Sequence, residues 1–491
     1  MSAMLVSIDQ STSATKAVLL DDRCAVLDKA SRGHRQIYPQ PGWVEHDAEE
    51  IWQNTLAALG DLAARQDLSQ LAGLSVTNQR ETIVVFERGT GRPLRRAMVW
   101  QCRRGEPFCR ELREAGHEDV IRCRTGLRLD TYFSASKLKW LARQELDLAR
   151  KLREGDALIG TMDAYLVYRL TGGAVFATDA TNASRTLLYD IRQLRWDEEL
   201  CALFDVPIRA LPEVRDSTAR FGETDAGGIL ARGVPLCGVM GDSQASLFAQ
   251  RCFQPGMVKA TFGTGTSVLL NIGGAFRRPP EGLVCALAWV VQGRPTYAYE
   301  GIINYSAATV AWLKDQLGLI RDANETEALA AAVEDNGGVY LVPAFAGLSA
   351  PYWKPEARAA IVGLTAHTRR EHVVRAALES IGFQLRDVLD LMKSGAGVAV
   401  QSLHGDGGST ANRFLMQFVA DLCGVELSVA GVPESSALGA ASAGMLGLGL
   451  QPSLEALAAL PREWTVYRPQ MPPQRARALL QDWHSAVQRV L

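Results

Sequence analysis

The stretch MLVSIDQSTSATKAVLL, Met4 to Leu20, decides the fold, because its pattern returns near the midpoint of the chain as GMVKATFGTGTSVLL, Gly256 to Leu270. Each copy is an apolar run, a turn of small polar residues and a second apolar run, the pattern of a β-hairpin with a polar tip. Small residues let backbone N–H groups approach an anion, and Ser or Thr hydroxyls add donors or reach a phosphate-bound magnesium. One such hairpin is unremarkable. Two of them, half a chain apart and with Asp9 closing the first strand, predict related domains that face each other across a nucleotide.

Composition agrees with an ordinary globular chain. At 491 residues it is too long for one core and should divide into two or three domains. A net charge of −2 and a pI near 6.4 give no basic footprint for nucleic acid. No apolar stretch is long enough to span a bilayer, and the first ten residues lack a secretory signal, so a cytoplasmic protein without membrane insertion is expected. The nine cysteines are scattered with no C-x-x-C pair, and the seven histidines do not cluster. They read as reduced thiols, with no structural metal.

Strand-like and helix-like segments alternate, which predicts an α/β chain. Ala48 to Leu62 has a helical pattern after the extended loop YPQPGWVEHD. Leu71 to Thr77 reads as a buried strand delivering NQRET (Asn78 to Thr82) at its C-terminal end, where open α/β sheets place their sites. Ala97 to Trp100 is another strand end, Val234 to Met240 leads into GDSQAS, and Val339 to Val342 is a further strand. Val398 to His404 feeds GDGGST and a helix from Asn412 to Leu422. A boundary is expected near Ser246 to Gln254, giving domains 1–250 and 251–491. Asp242, on a tight turn before a helix, suits a general base or a helix N-cap equally. Read alone, Arg80–Glu81 is a surface pair and Trp100 a core residue.

YFSASKLKWLARQ (Tyr132 to Gln144) and AAIVGLTAHTRREHVVRAALE (Ala359 to Glu379) resemble the two signatures of the FGGY carbohydrate kinases. PGWVEHD, TNQRET, VWQCRR, TNASRT, VPAFAGLSAPYW and NRFLMQF resemble the glycerol kinases among them. The resemblance covers nearly the whole chain. It implies two actin-like, ribonuclease-H-like ATPase domains around a central cleft. It also implies ATP and Mg²⁺ as cofactors, a small polyol as substrate and a homodimer or homotetramer.

Carried over residue by residue, the resemblance makes Asp242 the base that takes the hydroxyl proton, and Asp9 the Mg²⁺ residue. Thr12, Ser13, Ala14 and Lys16 fall on the first phosphate loop, Thr264 and Gly265 on the second. Gly408 and Asn412 fall on the adenosine contacts, and Ala307 and Ala311 on positions that approach the nucleotide. Arg80, Glu81 and Tyr132 correspond to polyol hydroxyl contacts, donating, accepting and doing both, with Trp100 as an apolar wall. The expected reaction is phosphorylation of a primary hydroxyl, glycerol to glycerol 3-phosphate.

Departures from the pattern qualify the acceptor. Ser243 stands where these kinases carry glutamine, and Thr266 and Ser267 where they carry Cys-Phe, which enlarges the pocket and makes it more polar. Ser11 replaces a loop glycine, and Ala307 and Ala311 replace residues that approach the nucleotide. A longer polyol or ketose (a tetritol, pentitol, erythrulose or xylulose) is therefore the alternative acceptor. An actin-like ATPase that binds a protein partner is the remaining function class, disfavoured because NQRET, VWQCRR and GDSQAS supply an acceptor pocket.

Overall fold

The computed structural model describes residues 3–348, 350–431 and 434–491. The opening stretch forms the hairpin β1 (Met4–Gln10) and β2 (Ala14–Asp21), and β2 pairs antiparallel with β3 (Val26–Gly33). Helix α1 (Ala48–Ala63) starts where the Asp47 carboxylate accepts from the backbone N–H groups of Glu49 and Glu50. It leads to β4 (Leu71–Asn78), which returns parallel to β1. β5 (Arg220–Thr224) and β6 (Val234–Gly241) complete a six-stranded sheet in the order β5-β6-β4-β1-β2-β3. Leu5, Val6, Ile8, Leu74 and Val76 are fully buried, as expected of central strands covered on both faces.

The second half repeats this plan. β7 (Met257–Phe262) and β8 (Thr266–Gly273) form the second hairpin, and β8 pairs with β10 (Arg294–Ile303), whose other edge carries β9 (Val284–Val291). β11 (Ser402–Asp406) lies parallel to β7, β12 (Leu427–Ala430) parallel to β11, and β13 (Trp464–Tyr467) antiparallel to β12. Strands β10-β8-β7-β11-β12 repeat the order and relative directions of β3-β2-β1-β4-β6, and each sheet adds its own antiparallel edge strands, β5 in the first and β9 and β13 in the second. This is the duplicated α/β fold that the paired hairpins predict.

Four further helices frame the space between the sheets: α2 (Asp242–Ala249), α3 (Arg370–Ala396), α4 (Arg413–Cys423) and α5 (Ser435–Gly447). Helix α5, although late in the chain, packs on α2, β4 and β6 of the first sheet. A Cβ at Gly439 would sit 1.8 Å from the Ala245 carbonyl oxygen, so the approach of α5 to α2 requires glycine there.

Some boundaries differ from the sequence reading. The strand expected at Val398 begins at Ser402, because α3 runs on to Ala396 and Gly397 (φ 61°) ends it, which leaves the next residues as an exit turn. The helix expected from Asn412 begins at Arg413, with the Asn412 side chain as its cap, accepting from Leu415 N–H at 2.9 Å. The two remaining strand ends are shorter than expected, at Ala97–Met98 and Tyr340–Val342. Among the described residues no helix is long and apolar enough to cross a membrane.

Candidate active site

Three cavities run into one another, two at the junction of the two sheets and one lined by the second half of the chain. The largest, of about 880 Å³, opens beside the C-terminal end of β4 and is lined by Thr12, Ser13, Arg80, Glu81, Trp100, Tyr132, Asp242, Ser243, Thr264, Gly265 and Ser267. A second, of about 860 Å³, shares Gly263 and Thr264 with it and adds Ala307, Ala311, Gly408 and Asn412. A third, of about 240 Å³, holds Asp9, Lys16, Lys259 and Asp406 and shares Asp242, Ser243, Thr261 and Ser267 with the largest.

Charge organises the floor of the largest cavity. Arg80, only 5% exposed, places Nε 3.3 Å from Asp242 Oδ1 and Nη2 2.8 Å from Glu300 Oε1. Arg185, fully buried, donates Nε to Glu81 Oε1 and Nη1 to Glu300 Oε2, each at 2.5 Å. Burial works against ionisation of Glu300, yet Arg185 and Arg80 outweigh it and hold that carboxyl down at about 2. Glu300 belongs to β10, whereas Arg80 follows β4, so this network joins the two sheets.

The cavity's aromatic wall is fixed from behind. Trp100 and Tyr132 rings lie 5.2 Å apart, and the indole N–H donates to Thr12 Oγ1 at 3.0 Å. Lys137, wholly buried, donates to the carbonyls of Thr131, Tyr132 and Phe133, which pins the turn carrying Tyr132. Asp242 is the first residue of α2, with a side chain 37% exposed and therefore reachable from the cavity. Gly241, not Asp242, is the N-cap; Asp242 Oδ1 accepts from the Ser243 N–H.

In the smallest cavity Asp9 is 7% exposed, and burial raises its carboxyl to about 7; Lys16 opposes this rise, while Asp242 and Glu434 add to it. Lys16 donates to Glu434 at 2.6 Å and stands 3.9 Å from Asp9. Thr261 Oγ1, Ser267 Oγ, Ser435 Oγ and Asp406 Oδ1, all on this cavity's lining residues, are buried without a hydrogen-bond partner. Among the described residues no three or more His, Cys, Asp or Glu side chains form a metal-binding group. Asp9 alone fits a cation that keeps several waters and takes its other ligands from substrate phosphates, as Mg²⁺ does.

The N-terminal domain model of the FGGY family of carbohydrate kinases matches residues 4–249, and the C-terminal domain model matches residues 258–448. The chain belongs to the FGGY family of carbohydrate kinases. It is 43% identical over 493 residues to a glycerol kinase of Desulfitobacterium hafniense, covering 100% of both chains, and 45% identical over 488 residues to one of Rhodospirillum rubrum, covering 99% of this chain and 98% of the relative. A solved structure of Plasmodium falciparum glycerol kinase with ADP superimposes with a TM-score of 0.95 at 34% identity, over 100% of this chain and 98% of that one. The chain is therefore an ATP-dependent phosphotransferase of two actin-like domains.

Set against the sequence reading, this FGGY kinase gathers most of the expected residues. Thr12 and Ser13 line the largest cavity with Thr264 and Gly265, while Ala307, Ala311, Gly408 and Asn412 line the second. Ala14 lines none of the three, and its N–H is engaged by Ser11 Oγ at 3.3 Å. Lys16 sits with Asp9 rather than beside Thr12 and Ser13. Arg80–Glu81 is not a surface pair: both residues are buried because β4 ends under the second sheet and Glu300 reaches them from it. Trp100 is half-buried at the cavity wall rather than in the core. The sequence reading missed Arg185, Glu300, Lys259 and Asp406. Arg185 lies inside the quoted TNASRT and Asp406 inside GDGGST, so both were within sight, whereas Glu300 lies in a plain strand pattern.

Proposed function

We propose that this kinase transfers the γ-phosphoryl group of ATP to a primary hydroxyl of a small polyol, glycerol first, giving glycerol 3-phosphate. The observation that carries this is the position of Asp242 on the boundary shared by the acceptor cavity and the small polar cavity. A carboxylate there faces both the attacking oxygen and the group it attacks. Names of full-length relatives, glycerol kinases at 43–45% identity, point to the same acceptor.

On this reading Arg80 and Glu81 donate to and accept from adjacent hydroxyls, Tyr132 adds a third contact, and Trp100 covers the carbon chain. Asp242 accepts the hydroxyl proton as the new P–O bond forms. Thr12, Ser13, Thr264 and Gly265 hold the nucleotide's phosphates from the two hairpins. Asp9 would hold Mg²⁺ through water, and the ion would neutralise charge on the bridging phosphates. The nucleotide base side lies against Gly408 and Asn412. The same reading keeps the enzyme in the cytoplasm, as a homodimer or homotetramer, with lobes 1–250 and 251–491.

Ser243 and Ser267 favour a second reading in which a tetritol, pentitol or matching ketose is the better acceptor, because both line the acceptor cavity with small side chains. Coupled ADP release, measured with MgATP alone and with a panel from glycerol to pentitols and ketoses, tests both. Polyol-independent ATP hydrolysis with no stimulation by any acceptor would refute the kinase–polyol assignment.

A further inference from the structure

We infer that Lys259 is a catalytic residue whose ammonium group binds the phosphoryl group in flight between ATP and the acceptor. The inference rests on the phosphotransfer reading and adds to it a charge that no part of that reading supplies. Lys259 lies on β7 and is 1% exposed. Strand alternation puts it on the same face as Thr261, and both line the small cavity with Asp9 and Asp242. Among the described residues Lys259 makes no hydrogen bond and no ion pair within 4 Å; Asp406 and Asp242 act on it only at longer range. A lone ammonium taken out of water costs several kcal/mol unless something compensates it.

The surroundings show what compensates. Thr261 Oγ1 and Ser267 Oγ, cross-strand neighbours on β7 and β8, are buried and unpartnered on the same cavity. An ammonium and two hydroxyls make a donor-rich wall that matches the oxygens of a phosphoryl group. Asp406 cannot contact such oxygens favourably; fixed by Ser246 Oγ at 2.6 Å, its charge offsets part of the burial that lowers the Lys259 pKa. Asp242 borders the same cavity, so a phosphoryl group seated there lies next to the base. In the reaction the Pγ–O bond to ADP breaks, the Pγ–O bond to the acceptor forms, the hydroxyl proton passes to Asp242 and ADP leaves. Negative charge spreads over the three oxygens of the transferring group, and Lys259 is placed to hold it.

The test compares wild type with Lys259→Met, which keeps length and apolar packing but removes the charge. The expected result is a kcat lower by about 10²–10³-fold and an unchanged Kd for ADP. The tightening of ADP binding produced by aluminium fluoride, a planar phosphoryl mimic, should be lost. The melting temperature of the ligand-free protein should stay the same or rise, since a buried ammonium that makes no hydrogen bond there has gone. A kcat within threefold of wild type, or full retention of the fluoride effect, would overturn the inference. So would a clear fall in melting temperature, which would make Lys259 a structural residue. The wild-type arm reads the underlying assignment separately: absence of polyol-dependent turnover there sinks the kinase–polyol reading, while the fluoride comparison still reads Lys259.

Discussion

Arg80 Nε lies 3.3 Å from Asp242 Oδ1, so the guanidinium proposed to donate to the acceptor also steadies the carboxylate proposed to deprotonate it. The same side chain reaches Glu300 of the second sheet at 2.8 Å. Acceptor binding, base placement and the contact between lobes thus share one arginine.

Asp242→Asn should leave ADP and polyol binding nearly intact and lower kcat by at least about two orders of magnitude. The amide keeps the side chain's size and can still accept from the Ser243 N–H, but it cannot take a proton at neutral pH. Steady-state kinetics with calorimetric titration of both ligands checks this. Near-normal turnover would remove Asp242 from the chemistry.

Glu300→Gln tests the strut beneath it. The substitution leaves Arg185 with the carboxylate of Glu81 alone, and Arg80, also buried, with Asp242 at 3.3 Å and Glu81 at 3.9 Å. Removing one partner of a buried ionic cluster typically costs about 3–5 kcal/mol, so the urea midpoint should fall clearly. In the protein that still folds, KM for the acceptor should rise more than KM for ATP, because Arg80 loses the contact that aims it. Equal rises in both, or neither, would mean that Glu300 does not position the acceptor site.

The duplicated hairpins were legible in the sequence because each is a local pattern: apolar alternation, a small polar tip and a returning strand. Asp242 was legible for the same reason, as a carboxylate at the end of an apolar run. The pairing of Arg80 with Glu300, and of Arg185 with Glu81 and Glu300, was not, since it joins positions far apart in the chain through strand order in two sheets. That is why Arg80–Glu81 reads as a surface pair from neighbours alone. Lys259 was hidden differently: nothing in VKATF marks it as buried, and only the packing of the folded sheet leaves it 1% exposed.

Stability should fall in acid partly through His404. Burial, with Arg462 adding to it, lowers its pKa from 6.5 to about 4. Between those values the unfolded chain binds a proton that the native state refuses, so this contribution is full above pH 6.5 and is lost as pH falls through about 4. It amounts to about 3 kcal/mol. His404→Gln cannot titrate, so its urea midpoint should drop less than wild type's between pH 7 and pH 4.5. His46, depressed to about 3 by burial and by His34, acts with the same sign in both proteins and cancels in the comparison. Parallel losses in the two proteins would show that His404 does not titrate in this range.

The acceptor preference is the test of Ser243 and Ser267. Both line the acceptor cavity, and Ser267 faces Thr261 and Ile302 across the strands on either side. If their small side chains widen the site, wild type should use a tetritol, a pentitol or the matching ketose at least as efficiently as glycerol. Ser243→Gln with Ser267→Phe should then shift the kcat/KM ratio toward glycerol by roughly 10–200-fold, the worth of one well-filled apolar contact. The two positions border one cavity and can couple, so each single variant must accompany the double. Ser267 also lines the small polar cavity, and a phenylalanine ring turned that way would depress turnover with every acceptor alike. The ratio separates that outcome from a change in preference. A wild type that strongly prefers glycerol, with the ratio unmoved in all three variants, would show that the two serines do not set the acceptor.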